Sequence, residues 1–137
     1  MNTNAQSLQF KMEALKQRIM KKGAKIIAVT ETWGEEWKEA TLEMDKFNSY
    51  RKDRKDGRKG GGCIIYVSTD LKSYNCNELK NMPGDDAAWC WVALTKKAKI
   101  LVGCIYRSTS SSTANNDLLM NKITRASEIA GPTTYCY

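Results

Sequence analysis

Residues 26–33 read IIAVTETW, and this stretch decides which fold class the chain belongs to. Its first four residues form an apolar run, which indicates a short buried strand. The segment before it predicts an amphipathic helix, with Ser7 as the N-cap and Gly23 at the C-terminal end. The apolar residues of that helix recur at helical spacing: Leu8, Met12, Leu15 and Ile19. A helix that runs almost directly into an apolar strand is typical of layered α/β architecture.

The rest of the chain continues to alternate between strands and helices. Residues 63–67 predict a strand, and residues 87–95 and 99–107 predict a β-hairpin with a short lysine-bearing link. Asn116 or Asp117 is expected to be the N-cap of a final helix. Its apolar face would consist of Leu119, Ile123, Ala126 and Ala130. The pattern predicts an α/β (α+β) fold with about five strands and two helices.

The composition is that of an ordinary globular domain, with 137 residues, 42% hydrophobic and 27% charged. The chain has no histidine, which excludes an imidazole zinc site and a histidine general base on this chain. Its five cysteines form no C-x-x-C pair, so reduced core thiols in a nuclear or cytoplasmic protein are expected. Trp89 and Trp91 are expected on opposite faces of their strand. No apolar run is long enough to span a bilayer, and no membrane partner is expected.

A basic segment at residues 51–59 precedes three glycines at 60–62. Together with the net charge of +7, this segment favours a polyanionic partner. Arg51, Arg54 and Arg58 could contact the sugar–phosphate backbone of a nucleic acid. A solvated basic hairpin tip explains the same residues equally well.

Two predicted strand ends carry candidate functional side chains. Glu31 follows the strand of residues 26–30, at the position where α/β proteins bind ligands, and a single carboxylate can hold Mg²⁺. Tyr106 and Arg107 end the last predicted strand and could contact a phosphate group. Taken alone, Glu31 is better explained as a solvated loop acid. Tyr106 and Arg107, taken alone, are likewise better explained as an aromatic packed at the sheet rim and a solvated arginine.

Five short motifs follow one another along the chain: NAQSL at 4–8, IIAVTETW at 26–33, RKDR at 51–54, GGG at 60–62 and VGCIYR at 102–107. As a set they resemble the endonuclease/exonuclease/phosphatase superfamily. In particular, they are similar to the endonuclease domain that precedes the reverse transcriptase in non-LTR retrotransposons. The resemblance implies a four-layer α/β sandwich of the DNase-like type. It also implies Mg²⁺-dependent hydrolysis of phosphodiester bonds, which in retroelements nicks target DNA.

The same resemblance assigns roles to three residues and suggests partners. Glu31 would bind the metal, Asn4 would lie beside the metal and the scissile phosphate, and Tyr106 would contact that phosphate. Asn4 and Tyr106 would thus be catalytic residues. The partners would be DNA and the rest of a longer polyprotein that contains a reverse transcriptase.

Parts of the family pattern are missing from the sequence. Only three residues precede Asn4, Gln6 stands where an arginine is common, and Ser108 replaces the proline that usually follows Tyr-Arg. The later G-D-F-N and S-D-H motifs do not occur. The expectation is one truncated domain over residues 1–137, mainly one sheet flanked by helices, that is inactive alone. The alternatives are a non-catalytic nucleic-acid-binding fragment and a non-functional remnant of a mobile element.

Overall fold

The computed structural model describes residues 1–33, 42–54, 61–84, 87–108 and 111–131, which form two β-sheets and three helices. The strands are β1 (Asn2–Asn4), β2 (Ile26–Thr30), β3 (Phe47–Lys52), β4 (Cys63–Ser68), β5 (Lys72–Asn75), β6 (Ala87–Ala93) and β7 (Lys99–Ile105). The helices are α1 (Met12–Lys22), α2 (Asn77–Lys80) and α3 (Thr113–Ala130), and a 3₁₀ turn spans Leu8–Lys11. Within these ranges, no helix has the length and apolar character needed to cross a bilayer.

The first sheet has the strand order β1-β2-β4-β3. β1 runs parallel to β2, with Asn4 opposite Thr30, whereas β4 runs antiparallel to both of its neighbours. α1 connects the parallel pair and packs on the outer face of the sheet. As predicted, α1 ends at Gly23, which has a φ of 63° and donates its backbone N–H to the Ile19 carbonyl at 2.8 Å. Glycine suits this left-handed position because it has no Cβ atom.

The second sheet is an antiparallel meander of β5, β6 and β7. Its inner face packs on the inner face of the first sheet through a core that includes Cys63, Ile65, Val67, Cys90 and Val92. α2 and α3 cover its outer face. The layers are therefore helix, sheet, sheet and helix. The central strand β4 is buried along its whole length because both of its faces and both of its edges are covered.

The predicted α/β sandwich of the DNase-like type is confirmed, and its strands divide between two sheets instead of lying mainly in one. Three local predictions are wrong. Ser7 makes no capping hydrogen bond with its side chain and precedes the 3₁₀ turn instead of α1. α3 begins earlier than predicted, with Ser112 as the N-cap that accepts from the Asn115 N–H. Trp89 and Trp91 both lie in the helix-covered core, because residues two apart on a strand share a face.

The cysteines of the described residues are free and buried: Cys63, Cys76, Cys90 and Cys104. Burial, with a contribution from the nearby Cys76, raises the pKa of the Cys90 thiol to about 12. A hydrogen bond from Cys63 lowers the pKa of Cys104, whose burial acts in the opposite direction. The predicted core position is therefore confirmed for Cys63, Cys90 and Cys104, whereas their reduced state stays a prediction, and Cys136 lies outside the described residues.

Candidate active site

The ends of several strands from both sheets lie together at one end of the molecule. The C-terminal ends of β2 and β3 meet the N-terminal end of β4, because Thr30 and Lys52 both lie opposite Cys63. β1 ends at the same level. The second sheet joins them through Tyr106, which follows β7 and hydrogen-bonds to Glu31, which follows β2. The fold thus brings residues that are far apart in sequence to one edge.

The Glu31 carboxylate lies at the centre of this edge and is almost enclosed, with 9% of the residue exposed. The Tyr106 hydroxyl and the Gly61 backbone N–H donate hydrogen bonds to it. The Trp33 indole N–H donates to Glu31 Oε2 at 2.6 Å. Two residues predicted from the sequence, Glu31 and Tyr106, are therefore in direct contact.

The surroundings of Glu31 favour the ionised carboxylate. Burial raises its pKa, but the hydrogen bonds from Tyr106, Trp33 and Gly61 and the charge of Arg54 together outweigh burial. The net pKa lies below the ordinary value. Near neutral pH the group is a carboxylate, which suits cation binding and does not suit proton donation.

The backbone around Glu31 is held from two sides. Its carbonyl accepts a hydrogen bond from the Ser7 N–H at 2.9 Å, and the Trp33 N–H donates to the Gly61 carbonyl at 3.0 Å. Glu31 and Trp33 have φ values of 58° and 52°, in the left-handed region that non-glycine residues rarely adopt. Such residues persist where the surrounding structure over-determines them, and they concentrate at functional sites.

Two glycines allow the segment before β4 to approach this backbone closely. A Cβ atom at Gly62 would lie 2.4 Å from Thr32 Oγ1, and a Cβ atom at Gly61 would lie 2.6 Å from Arg54 Cζ. Thr32 is fully buried, and no described residue hydrogen-bonds to its Oγ1. The sequence suggested that the glycines belong to a loop around a phosphate backbone. In the structure, Gly61 and Gly62 form part of the wall beside Glu31.

The arginines of the basic segment have different surroundings. Arg54 is 6% exposed, and its charge acts on Glu31 inside the site. Arg51 is half-buried, and its Nε donates to both carboxylate oxygens of Asp53 at 2.8 and 3.0 Å. Arg58 lies outside the described residues. Contact of Arg51 and Arg54 with a nucleic acid stays a prediction, and it would require both side chains to become more accessible.

The other two predicted residues lie at the rim of the same edge. Asn4 is exposed at the end of β1, opposite Thr30, the residue before Glu31. Arg107 is exposed beside Tyr106, and its Nε donates to Asn116 Oδ1 at 2.9 Å. Both side chains remain accessible to a ligand at this edge, so their predicted contacts with phosphate and nucleic acid are compatible with their positions.

A metal at this edge would rely on few protein ligands. Among residues 1–33, 42–54, 61–84, 87–108 and 111–131, no three His, Cys, Asp or Glu side chains cluster as a metal site. Mg²⁺ often keeps several waters and takes only one or two carboxylates together with phosphate oxygens. The ionised, hydrogen-bonded carboxylate of Glu31 fits such an open site as a single ligand.

Two residues that shape the site have no role assigned from the sequence. Trp33 is one of them, and its indole N–H donates to the Glu31 carboxylate. Thr32 was given no role, although its side chain fills the space left by Gly62. The sequence signal for both residues is the motif TETW at 30–33. In it, a small polar residue, Thr32, and an N–H donor, Trp33, directly follow the carboxylate of Glu31 and can hold that carboxylate in place.

No protein-family model and no curated protein sequence matches the chain. Solved structures with a similar fold do exist. The endonuclease domain of TRAS1, a telomere-specific non-LTR retrotransposon, matches with a TM-score of 0.71 and 13% identity, covering 96% of this chain and 53% of its own. The AP endonuclease LMAP from Leishmania major matches with a TM-score of 0.71 and 12% identity, covering 98% and 50%. The catalytic domain of APE2 from Xenopus laevis matches with a TM-score of 0.64 and 12% identity, covering 93% and 52%.

The chain spans about half the length of these three structures. At identities of 12 and 13%, the likeness concerns the fold. The described part of the chain has the endonuclease/exonuclease/phosphatase fold.

Proposed function

We propose that this chain is the metal-binding part of a phosphodiesterase domain that nicks target DNA during retrotransposition. The observation that carries the proposal is the ionised Glu31 carboxylate, held by Tyr106, Trp33 and Gly61 where strands of both sheets end. The likeness to the TRAS1 endonuclease domain supports the retrotransposon context. The likeness to the 3′ phosphatase NExo from Neisseria, whose structure contains a bound product DNA hairpin, supports DNA as the substrate.

Each residue of the site has a distinct role in this proposal. Glu31 holds Mg²⁺, which when bound polarises a phosphoryl oxygen and offsets its negative charge. The Tyr106 hydroxyl lies beside the metal ligand and donates its single proton to Glu31 in the structure. Tyr106 therefore donates to a phosphate oxygen only when its hydrogen bond to Glu31 is broken. Asn4 contacts the same phosphate from the end of β1. The fixed charge of Arg54 stabilises negative charge at this edge without having to rearrange.

The site residues that the structure describes do not include a general base. The chain has no histidine, and the lowered pKa of Glu31 makes it a weak base near neutral pH. Catalytic groups that act as a unit lose most of their effect when one of them is missing. We therefore propose that the chain alone does not cleave DNA. The base would come from a further segment, such as the rest of a polyprotein with a reverse transcriptase.

The metal assignment can be tested without measuring cleavage. Mn²⁺ quenches tryptophan fluorescence at short range, and the Trp33 indole is hydrogen-bonded to the proposed ligand. Titration of the chain with Mn²⁺ is expected to give saturable quenching that Mg²⁺ reverses and that Glu31→Gln removes. The matched control is Glu13→Gln, which neutralises an exposed glutamate of α1. Equal quenching in the wild type and Glu31→Gln would overturn the assignment.

Cleavage is tested separately by conversion of a supercoiled plasmid to its nicked form with Mg²⁺ present. The purified chain is expected to nick no more than a buffer control. Nicking that Glu31→Gln abolishes would support the site and contradict the inactivity of the isolated chain. Nicking that persists unchanged in Glu31→Gln would show that Glu31 is not part of the reaction.

A further inference from the structure

A groove of about 680 Å³ lies at the opposite end of the second sheet from Glu31. It is lined by the start of β5, the end of β6, the turn at residues 94–98 and the start of β7. We call it the lysine groove, after Lys72, Lys96, Lys97 and Lys99. β7 leads from this groove to the active-site edge over seven residues, which corresponds to about 20 Å. The two sites are therefore separate.

The charge of the lysine groove is not balanced by the residues around it. Its lining contains four lysines and no carboxylate. In the part of the chain that the structure describes, none of these lysines forms an ion pair, whereas Lys25 pairs with Asp70 and Arg125 with Glu78. Like charges gathered on one concave surface repel one another, and an anion in the groove would relieve that repulsion.

Aromatic side chains lie among the lysines. The Lys99 ammonium is 4.2 Å from the centroid of the Trp91 ring and 6.0 Å from that of Tyr74. It also donates to the Tyr74 hydroxyl at 3.4 Å. These contacts hold Lys99 in place. Tyr74 remains 42% exposed, so part of its ring faces the groove and the solvent.

The turn that carries two of the lysines is ordered by its own hydrogen bonds. Thr95 Oγ1 accepts from the backbone N–H groups of Lys97 and Ala98 at 3.3 and 3.1 Å. The Leu94 N–H donates to the Ala98 carbonyl at 2.9 Å. Lys96 and Lys97 therefore project from a defined turn, which reduces the conformational entropy lost when they bind a ligand.

We propose that the lysine groove binds a single-stranded nucleic acid, with phosphates at Lys72, Lys96 and Lys97 and a base stacked on Tyr74. Positively charged grooves with exposed aromatic rings bind single strands in this way, because every base offers a flat face. A duplex suits the groove less, since its bases are stacked on one another and are not free to cover Tyr74. The proposal does not depend on the metal site at Glu31.

The test is fluorescence anisotropy of labelled DNA and RNA oligonucleotides of about ten nucleotides, measured with the full chain over a range of salt concentrations. Replacing Lys72, Lys96 and Lys97 together by glutamine removes three phosphate contacts. The slope of log affinity against log salt is expected to fall by about 2, and affinity at about 0.1 M salt to fall roughly 100-fold. The matched control replaces three lysines of α1 by glutamine: Lys16, Lys21 and Lys22. It is expected to lower affinity by less than about threefold, because these charges lie outside the groove.

Three results would overturn the proposal: no binding by the wild type, no effect of the groove variant, or an equal loss in the control variant. A Tyr74→Leu substitution tests the stacking separately and is expected to weaken binding about fivefold or more. Unchanged binding by Tyr74→Leu, together with a duplex that competes as well as a single strand, would overturn the single-strand assignment. Circular dichroism of each variant checks the fold, and tight binding of either the DNA or the RNA oligonucleotide supports the proposal.

Discussion

Substituting Gly62 by alanine tests the close approach that fixes the backbone beside Glu31. The new methyl group would lie 2.4 Å from Thr32 Oγ1, an atom in a fully buried side chain. Gly62 also has a φ of 88°, which disfavours any residue with a Cβ atom. Thr32 has little room to move, because the Leu8 backbone N–H donates to the Thr32 carbonyl at 3.1 Å. We therefore expect Gly62→Ala to be strongly destabilising.

The magnitude has two parts. The left-handed backbone costs about 1–2 kcal/mol for a residue other than glycine, and overpacking in a buried site costs about 1–3 kcal/mol. The sum is about 2–5 kcal/mol, against a total stability of about 5–15 kcal/mol for a typical domain. Gly23→Ala separates the two parts, because Gly23 has a φ of 63° but no atom within 4 Å of an added Cβ. That control is expected to lose only the backbone part.

The assay is urea unfolding followed by tryptophan fluorescence, with the slope m compared between variants. Gly62→Ala should lower the midpoint by about 1 M or more, and Gly23→Ala by clearly less. Adding Thr32→Ala removes the obstructing oxygen and should restore about 1–3 kcal/mol in a double-mutant cycle. A Gly62→Ala variant as stable as Gly23→Ala, or a cycle without coupling, would show that the segment before β4 does not press against Thr32.

Other parts of the structure give three further predictions. The stability that Glu31 contributes should be fully present above its ordinary pKa of 4.5 and lost as the pH falls through its lower folded-state pKa. Stability measured from about pH 6 to about pH 3 should therefore change less in Glu31→Gln than in the wild type, and parallel curves would contradict this. Gly103→Ala should lower the free energy of unfolding by about 1–3 kcal/mol, because the added Cβ would lie 2.3 Å from the Trp89 ring. In thermal melts, adding Trp89→Leu should recover part of the lost stability, and no recovery would contradict the clash. Lys122→Met should lower the free energy of unfolding in urea by about 1–3 kcal/mol, since the buried Lys122 ammonium donates to the Gly84 carbonyl. The control changes an exposed lysine of α1 to methionine. Equal stability of the two variants would contradict the prediction.

Much of the fold could be predicted from local patterns in the sequence. The helical spacing before Gly23, the apolar run of residues 26–29 and the hairpin at 87–107 each signal their element within a short window. β1 has only three residues, which is too few for any periodicity to show. The division into two sheets depends on pairings between distant strands, such as Thr30 with Cys63, and no local window contains that information.

The candidate site could be predicted in part. The motif order pointed to Glu31 and Tyr106, and the structure brings them into contact. The left-handed backbone at Glu31 could not be predicted, because no glycine marks it and tertiary contacts impose it. Lysine and arginine are usually exposed, so composition gave no sign that Arg54 and Lys122 are buried.

The position of β4 between β2 and β3 has a consequence for the order of assembly. The second sheet joins strands that follow one another along the chain, so its pairings close short loops. The first sheet can form only when β4 enters between two strands that both precede it, and β1 pairs with β2 at the end of the strand order. Pairings between distant segments form slowly because loop closure must come first. We therefore expect the meander to gain hydrogen-exchange protection first and the segment that carries Glu31 to be ordered last.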